Sequence, residues 1–222
     1  MAQTALSQAY QQKQSLFDRW AAFYDWSFPS VFYQAVHRRL LESIELPEQP
    51  NVLDLGCGTG KLFQRLLPLA PDLTGLGLDL SPEMVAQARR ANSCPAQVQY
   101  QVGNATAIPA PDHCFDLVFN SISFLHYPQP AAVLAEIQRV LKPGGCYHLA
   151  DFAPRWAEQP QVLAQSVSPI QFHSPAVRER LGQSAGRLAL LGHQWLLGPV
   201  LLTSWSRAEL SAKSANDPDL FR

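Results

Sequence analysis

Charge is scarce in this chain, and no apolar stretch is both long and unbroken. Charged residues make up 16% of the 222 residues and the formal net charge is −1. The sequence therefore lacks the excess of positive charge that favours binding to nucleic acid. The most apolar late stretch, residues 188–202, is interrupted by glycine, histidine, glutamine and proline, which excludes a membrane-spanning helix there.

The four cysteines are too widely spaced to act together. Cys57, Cys94, Cys114 and Cys146 form no C-x-x-C pair, so we predict neither a metal site nor a disulfide framework. Isolated cysteines are usual in proteins of a reducing compartment, and we therefore expect a cytoplasmic protein.

Apolar residues are plentiful, and they fall into short runs that alternate with helical patterns. They make up 47% of the chain, which predicts one packed globular core rather than disorder. The alternation predicts an α/β fold with a mostly parallel sheet covered on both faces. Around a Gly198-Pro199 turn, residues 188–206 predict a terminal antiparallel hairpin. The other predicted strands are residues 52–55, 74–78, 98–102, 115–120 and 146–150.

The stretch VLDLGCGTG, residues 52–60, is the most informative motif. An apolar strand carries an acid, Asp54, and runs directly into glycines at alternating positions. Such a turn lets backbone come close to a ligand. The glycine spacing differs from the G-x-G-x-x-G of dinucleotide sites, and Asp54 would repel a pyrophosphate. An ammonium group would instead gain a charge-assisted hydrogen bond, which favours S-adenosylmethionine as the ligand.

A second acid completes the pattern. The run at residues 74–78 ends at Asp79, the position at which an acid commonly binds the ribose hydroxyls of a nucleotide. Ser81 and Pro82 then predict the N-cap and first residue of a helix.

Four motifs in this order resemble those of the class I S-adenosylmethionine-dependent methyltransferases. They are VLDLGCGTG, GLDLSPEMVAQAR, FDLVFNSISFLHY and RVLKPGG, and within the class they are most similar to the group with the ubiquinone and menaquinone biosynthesis methyltransferases. The resemblance implies a three-layer Rossmann-like sandwich, whose seven-stranded, mostly parallel sheet ends in a C-terminal antiparallel hairpin. The cofactor is then expected across the carboxyl ends of the first strands.

The resemblance also implies how the chain is divided. We expect a single methyltransferase domain over residues 1–222, in four parts: a helical cover or lid (1–46), the cofactor-binding core (50–151), substrate-side helices with the final hairpin (152–206) and a polar tail (207–222).

The cofactor residues implied by the resemblance cluster at strand ends. Where the family commonly has Gly-Asp-Ala after the third strand, this chain has Asn104, whose amide oxygen still accepts a hydrogen bond from adenine but carries no charge. Tyr24 belongs to a Tyr-Asp pair in the expected lid. The full expected set is Tyr24, Asp54, Gly56, Cys57, Gly58, Gly60, Asp79, Leu80, Met84, Asn104, Ala105, Asn120 and Ser121.

Methyl transfer from a sulfonium asks little of the protein beyond positioning. A general base is needed only when the acceptor arrives protonated. The candidates at strand ends are His126, His148 and Asp151, and His148 is equally well explained as a hydrogen-bonded interior histidine.

The acceptor is expected to be a small molecule. The motifs of DNA and arginine methyltransferases are missing, and Asp151 stands nearly alone where metal-dependent enzymes have an acidic cluster. Four aromatic residues that could line a pocket suggest an aromatic or lipophilic acceptor, or belong to the core: Phe152, Trp156, Phe172 and Trp195.

Two alternatives stay open from the sequence. One is an NAD(P)-dependent oxidoreductase on a similar sheet, which the glycine spacing and Asp54 disfavour. The other is a protein that binds S-adenosylmethionine without catalysis. The aromatic segment at residues 17–33 is either a lid over the cofactor or plain cover for the sheet.

Overall fold

A computed structural model describes residues 2–24, 28–156, 159–163 and 170–208. The expected tail from residue 209 onward and Asp25 of the Tyr-Asp pair lie outside the described residues. In chain order the elements are α1 (Ala2–Tyr24), α2 (Phe28–Glu42), β1 (Asn51–Leu55), α3 (Lys61–Leu66), β2 (Thr74–Asp79), α4 (Pro82–Ala91), β3 (Val98–Val102), β4 (Phe115–Ser121), a 3₁₀ turn (Phe124–His126), α5 (Pro130–Val140), β5 (Leu141–Phe152), β6 (Gln161–Leu163), β7 (Ile170–Phe172), α6 (Pro175–Ser184), β8 (Leu188–Leu197) and β9 (Val200–Arg207).

The main sheet has seven strands in the order β3-β2-β1-β4-β5-β9-β8. The first five are parallel, and β9 and β8 add as an antiparallel pair. This confirms the predicted Rossmann-like fold with its C-terminal hairpin. The strand order reverses between β1 and β4, and open α/β sheets bind ligands beyond the carboxyl ends of the strands at such a point.

Two apolar clusters sandwich the sheet. Successive strand residues alternate between faces, so that Val52 joins the cluster beneath α2, α3 and α4, while Leu53 joins the cluster beneath α5. The three layers follow from strands that are apolar on both sides, as expected for a parallel sheet.

The start of α4 was predicted from local sequence signals. The Ser81 hydroxyl accepts a hydrogen bond from Met84 N (3.2 Å) with Pro82 following, which confirms the predicted cap of α4. Apolar residues at helical spacing over residues 31–46 predict a helix, and α2 (Phe28–Glu42) begins and ends earlier than that range. β5 is longer than predicted, because Leu141 pairs with Phe115 ahead of a register shift that precedes the Leu117–Cys146 pair.

One feature was not expected from the sequence: β6 and β7 form a separate two-stranded sheet. The N-terminal helix α1 lies within the helical cover or lid expected over residues 1–46. In the described ranges, no helix is long and apolar enough to cross a membrane.

A buried arginine ties α6 to the sheet. Arg178 is 1% exposed, and its guanidinium donates to the carbonyls of Leu201 (2.8 Å), Asp151 (2.9 Å) and His173 (3.0 Å). The Asp151 carboxyl accepts from Leu125 N (2.9 Å), which holds the 3₁₀ turn against β5. Burial lowers the pKa of Arg178 to about 10 although nearby Asp151 opposes the shift, so the side chain is charged at neutral pH.

We expect Arg178→Met to lower the free energy of unfolding by about 3–5 kcal/mol, because it leaves buried carbonyls and the Asp151 carboxylate without their cation. Arg187→Met, at an exposed position, is the matched control and should change stability by about 0.5 kcal/mol or less. Urea unfolding measures both. Equal stability of the two variants would contradict this role for Arg178.

Candidate active site

Two joined cavities lie at the carboxyl ends of β1, β2, β3 and β4. The larger holds about 750 Å³ of empty space and the smaller about 450 Å³, part of each open to solvent. Gly56, Gly58 and Ser121 line both. The larger cavity extends toward Asp79 and Asn104, and the smaller toward Asp54 and α2.

The glycine loop forms the floor between the cavities. Gly56, Gly58 and Gly60 have φ angles of 72°, 51° and 80°, a left-handed region that glycine adopts without steric cost. Gly56 N and Cys57 N both donate to Leu78 O, at 2.7 and 3.2 Å. A Cβ atom at Gly56 would lie 2.4 Å from the Ser123 Oγ, so glycine is required there for the loop to pack against the end of β4.

Asp79 connects this loop to α4. Its Oδ2 accepts from Gly58 N and its Oδ1 from Ser81 N, each at 2.9 Å. Burial raises the pKa of the Asp79 carboxyl, and the N–H donors of Ser81 and Gly58 oppose the shift. Each carboxylate oxygen keeps a further lone pair, and Asp79 lines the larger cavity.

Asp54 lies at the other side of the glycine loop. It is 2% exposed and lines the smaller cavity. Burial, followed by the nearby charge of Asp79, raises the pKa of Asp54 to about 8. The protein thus places two acids close together with little solvent, an arrangement that favours a cationic ligand.

The far wall of the larger cavity comes from the loops after β3 and β4. Asn104 lines the cavity and its Oδ1 accepts from Thr106 N (3.0 Å). Behind this loop, Glu136 accepts from Ile108 N (2.8 Å), and Arg139 bonds both Glu136 and Ile108 O. Side chains of α5 therefore hold this loop through its main-chain N–H and carbonyl groups.

α1, part of the expected cover or lid, supplies a wall of the larger cavity with residues that were not among the expected site residues. Tyr10, Lys13 and Phe17 line the larger cavity, and Asp18 accepts a short hydrogen bond from the Ser81 hydroxyl. Burial lowers the pKa of Lys13, which is 4% exposed, to about 8. A long polar N-terminal stretch carries little sign of this position, because only its packing against α4 decides which side chains face the cavity.

Most of the expected cofactor residues meet around these cavities. Gly60 and Asn120 line neither, and the side chain of Tyr24 lies outside the described residues. Asn120 is buried and donates to Leu55 O (2.6 Å) and Tyr127 Oη (3.0 Å), so it joins β1 to the segment after β4. The expected residues that line a cavity are Asp54, Gly56, Cys57, Gly58, Asp79, Leu80, Met84, Asn104, Ala105 and Ser121.

The three base candidates differ in position. His126 lines the larger cavity, its ring edge-on to Phe17 at 5.0 Å. Burial, and then the charge of Lys13, lower the pKa of His126 to about 3. His148 and Asp151 line neither cavity. The His148 Nδ1 is 2.8 Å from Ser204 Oγ, with the ring stacked on Phe119, and both Asp151 oxygens accept main-chain N–H groups.

The four aromatic residues offered as a substrate pocket also lie elsewhere. Phe152 stacks on Phe32 at 5.8 Å, Trp156 is 85% exposed, and Trp195 lies under the Arg155 guanidinium. None of these, nor Phe172, lines the two cavities. They give no reason to expect an aromatic acceptor.

Comparison with known proteins identifies the core. Residues 52–145 match the family model described as a methyltransferase domain. The demethylmenaquinone methyltransferase of Thermus thermophilus is 36% identical over 119 residues, covering 53% of this chain and 54% of the relative. The malonyl-[acyl-carrier protein] O-methyltransferase of Herminiimonas arsenicoxydans is 40% identical over 129 residues, 58% of this chain and 46% of the relative. The chain spans about half the length of these curated relatives.

Solved structures agree on the fold. A chain from the complex of the Trm112 methyltransferase activator and a methyltransferase of Haloferax volcanii has a TM-score of 0.75 at 24% identity, covering 87% of this chain and 98% of its own. An S-adenosylmethionine-dependent methyltransferase from Mesorhizobium loti has a TM-score of 0.65 at 19% identity, with 78% and 98% covered. The resemblance predicted from the four motifs is confirmed: residues 52–145 match the methyltransferase-domain family model, and the solved structures share the Rossmann-like fold.

Proposed function

We propose that the protein transfers a methyl group from S-adenosylmethionine to a small-molecule acceptor. One observation carries the proposal: two acids, the buried Asp54 and the partly buried Asp79, lie at the carboxyl ends of neighbouring strands, and each lines one of two adjacent cavities that share the glycine loop. S-adenosylmethionine has a ribose diol at one end, an ammonium group at the other, and no phosphate between them.

The adenosine half fits the larger cavity. Asp79 accepts hydrogen bonds from the ribose hydroxyls, using the lone pairs that Gly58 N and Ser81 N leave available. Leu80, directly after β2, and Met84 of α4 would contact the adenine ring, as would Ala105 and Asn104 from the loop after β3. Because the Asn104 oxygen already bonds Thr106 N, it has one lone pair left for the adenine amino group.

The methionine half then runs across Gly56 into the smaller cavity, where Asp54 binds its ammonium group. The sulfonium lies near Ser121, whose buried Oγ has no hydrogen-bond partner. A buried polar atom without a partner is uncommon in a native structure, and at this position it is available to the bound ligand or to the acceptor.

The chemistry needs positioning more than proton transfer. When bound, S-adenosylmethionine would supply an electrophilic methyl group, which the acceptor nucleophile would take in line while the sulfur keeps the electron pair of the broken bond. His126, with its pKa near 3, is neutral at pH 7 but a weak base, far from the pKa that suits a general base at that pH. We therefore propose that His126 positions the acceptor by hydrogen bonding and does not remove its proton.

The weak basicity of His126 favours an acceptor whose nucleophile is already ionised at neutral pH, such as a carboxylate. Two relatives are named for such acceptors: malonyl-[acyl-carrier protein] O-methyltransferase and the fatty-acid O-methyltransferase of Mycolicibacterium smegmatis, 34% identical over 127 residues. Others are named for quinone precursors, so hydroquinones belong in the same acceptor screen. We further propose a cytoplasmic location and no nucleic-acid partner, in line with the net charge of −1.

Calorimetric titration with S-adenosylhomocysteine and with NAD tests the proposed cofactor. We expect S-adenosylhomocysteine to bind and NAD to give no signal. Asp79→Ala should weaken S-adenosylhomocysteine binding by roughly 10- to 100-fold, because hydrogen bonds to charged groups contribute about 1.5–3 kcal/mol. Asp72→Ala, at an exposed loop position, is the control and should bind as the wild type does. Binding of NAD alone would contradict the proposal.

The acceptor class is tested with methyl-labelled S-adenosylmethionine and two pools, one of carboxylic acids and one of phenols and hydroquinones. We expect label in methyl esters and, at saturating S-adenosylmethionine, a rate that does not rise with pH between about 6 and 8, since a carboxylate is ionised throughout that range. Label confined to the phenol pool would contradict the carboxylate assignment while leaving the cofactor assignment intact.

The raised pKa of Asp54 predicts that cofactor binding releases a proton. Below about pH 8 the carboxyl of the empty site is protonated, and an ammonium ligand binds its ionised form. Affinity should therefore rise up to about tenfold per pH unit from pH 5.5 to 7. Titrations at pH 6.5 in two buffers of different ionisation enthalpy measure the proton. Wild type should release about one, and Asp54→Asn none; no release from the wild type would contradict this role.

A further inference from the structure

α2 forms one wall of the smaller cavity. Tyr33, Gln34 and His37 line it. Because His37 lies one helical turn after Tyr33 and Gln34, the three share a face of α2. The Gln34 Oε1 accepts from the Arg65 guanidinium at 2.8 Å, which brings the charge of α3 next to this face. The site residues predicted from the sequence include five other histidines and acids but not His37.

The His37 ring has an unused polar atom. Its Nδ1 is fully buried and has no hydrogen-bond partner, although the ring lines a cavity. An unsatisfied buried polar atom is unfavourable, and a ligand in this cavity that bonds it would remove that cost. Burial, and then the positive charge of Arg65, lower the pKa of His37 to about 4. The imidazole is thus neutral at pH 7, with one N–H donor and one acceptor nitrogen.

The surroundings of His37 select the kind of group that it binds. Arg65 and Lys61 make this side of the cavity positive, whereas Asp54 makes the opposite side negative once an ammonium group binds its ionised form. A zwitterionic amino-acid end would align with that field, its ammonium toward Asp54 and its carboxylate toward α2. The same positive field makes His37 a poor base, which argues against proton removal from an acceptor.

We propose that His37 is a cofactor-positioning residue, whose neutral imidazole donates its N–H to the carboxylate of the methionine end while Asp54 binds the ammonium group. The inference rests on the proposed function, because it requires S-adenosylmethionine in these cavities. With both ends of the zwitterion held, the chain between the amino acid and the sulfur has one orientation, and the methyl group points at a defined place beside Ser121.

Two ligands separate this role from a structural one. S-adenosylhomocysteine carries the amino-acid end, and 5′-methylthioadenosine lacks it. His37→Phe keeps a ring but loses the N–H, and should weaken S-adenosylhomocysteine binding about tenfold or more while leaving 5′-methylthioadenosine within about twofold of the wild type. His37→Asn, whose amide N–H replaces the ring donor, should restore most of the affinity. Asp79→Ala should weaken both ligands alike.

The outcomes are distinct. If the wild type binds no S-adenosylhomocysteine, the proposed function itself fails. If the wild type binds it and His37→Phe binds it equally well, the His37 role is wrong. An equal loss for both ligands would indicate a structural role and overturn the proposal. A fall in turnover at unchanged S-adenosylhomocysteine affinity would also overturn the proposal, because it would indicate that His37 contacts the acceptor and not the cofactor. Should His37→Phe not fold, as judged by its melting curve, His37→Ala provides the same comparison.

Discussion

Two backbone N–H groups converge on one carboxylate at the centre of this structure. Asp79 accepts from Gly58 in the glycine loop and from Ser81 at the start of α4, and Ser81 in turn bonds Asp18 of α1. Three chain segments distant in sequence are thereby held around one residue. Without this carboxylate, the N–H of Gly58 in the left-handed turn would lose its acceptor. The glycine loop would also lose its link through Ser81 to α1, which lines the other side of the larger cavity. The ribose contact that we propose and the local fold would therefore depend on the same carboxylate oxygens.

The electrostatics follow from that arrangement. Because β1 and β2 are parallel neighbours, their carboxyl ends bring Asp54 and Asp79 to the same edge of the sheet, where burial, and then the charge of Asp79, raise the pKa of Asp54. Like charges at close range are unfavourable until a cation arrives. Across the smaller cavity, α2 and α3 present the opposite potential around His37. This arrangement suits the ligand that we propose, which has a diol at one end and a zwitterion at the other.

Much of the fold and part of the candidate site were predictable from the sequence. Strand periodicity, the glycine motif, Asp79 and the Ser81 cap are local signals, and parallel strands bring their carboxyl ends together whatever the packing details. The walls supplied by α1 and α2 were not predictable in the same way. Whether Lys13 or His37 faces a cavity depends on how each helix is rotated against the sheet. His148 and Asp151 show the converse: strand-end position made them candidates, but Ser204 and the 3₁₀ turn occupy their polar atoms.

A crystal structure with S-adenosylhomocysteine tests the central claim most directly. The account predicts the ribose hydroxyls within hydrogen-bond distance of the Asp79 carboxylate, the ammonium group on Asp54, and the sulfur beside Ser121. It would be contradicted by a ligand bound outside the two cavities, or by a ribose that makes no contact with Asp79.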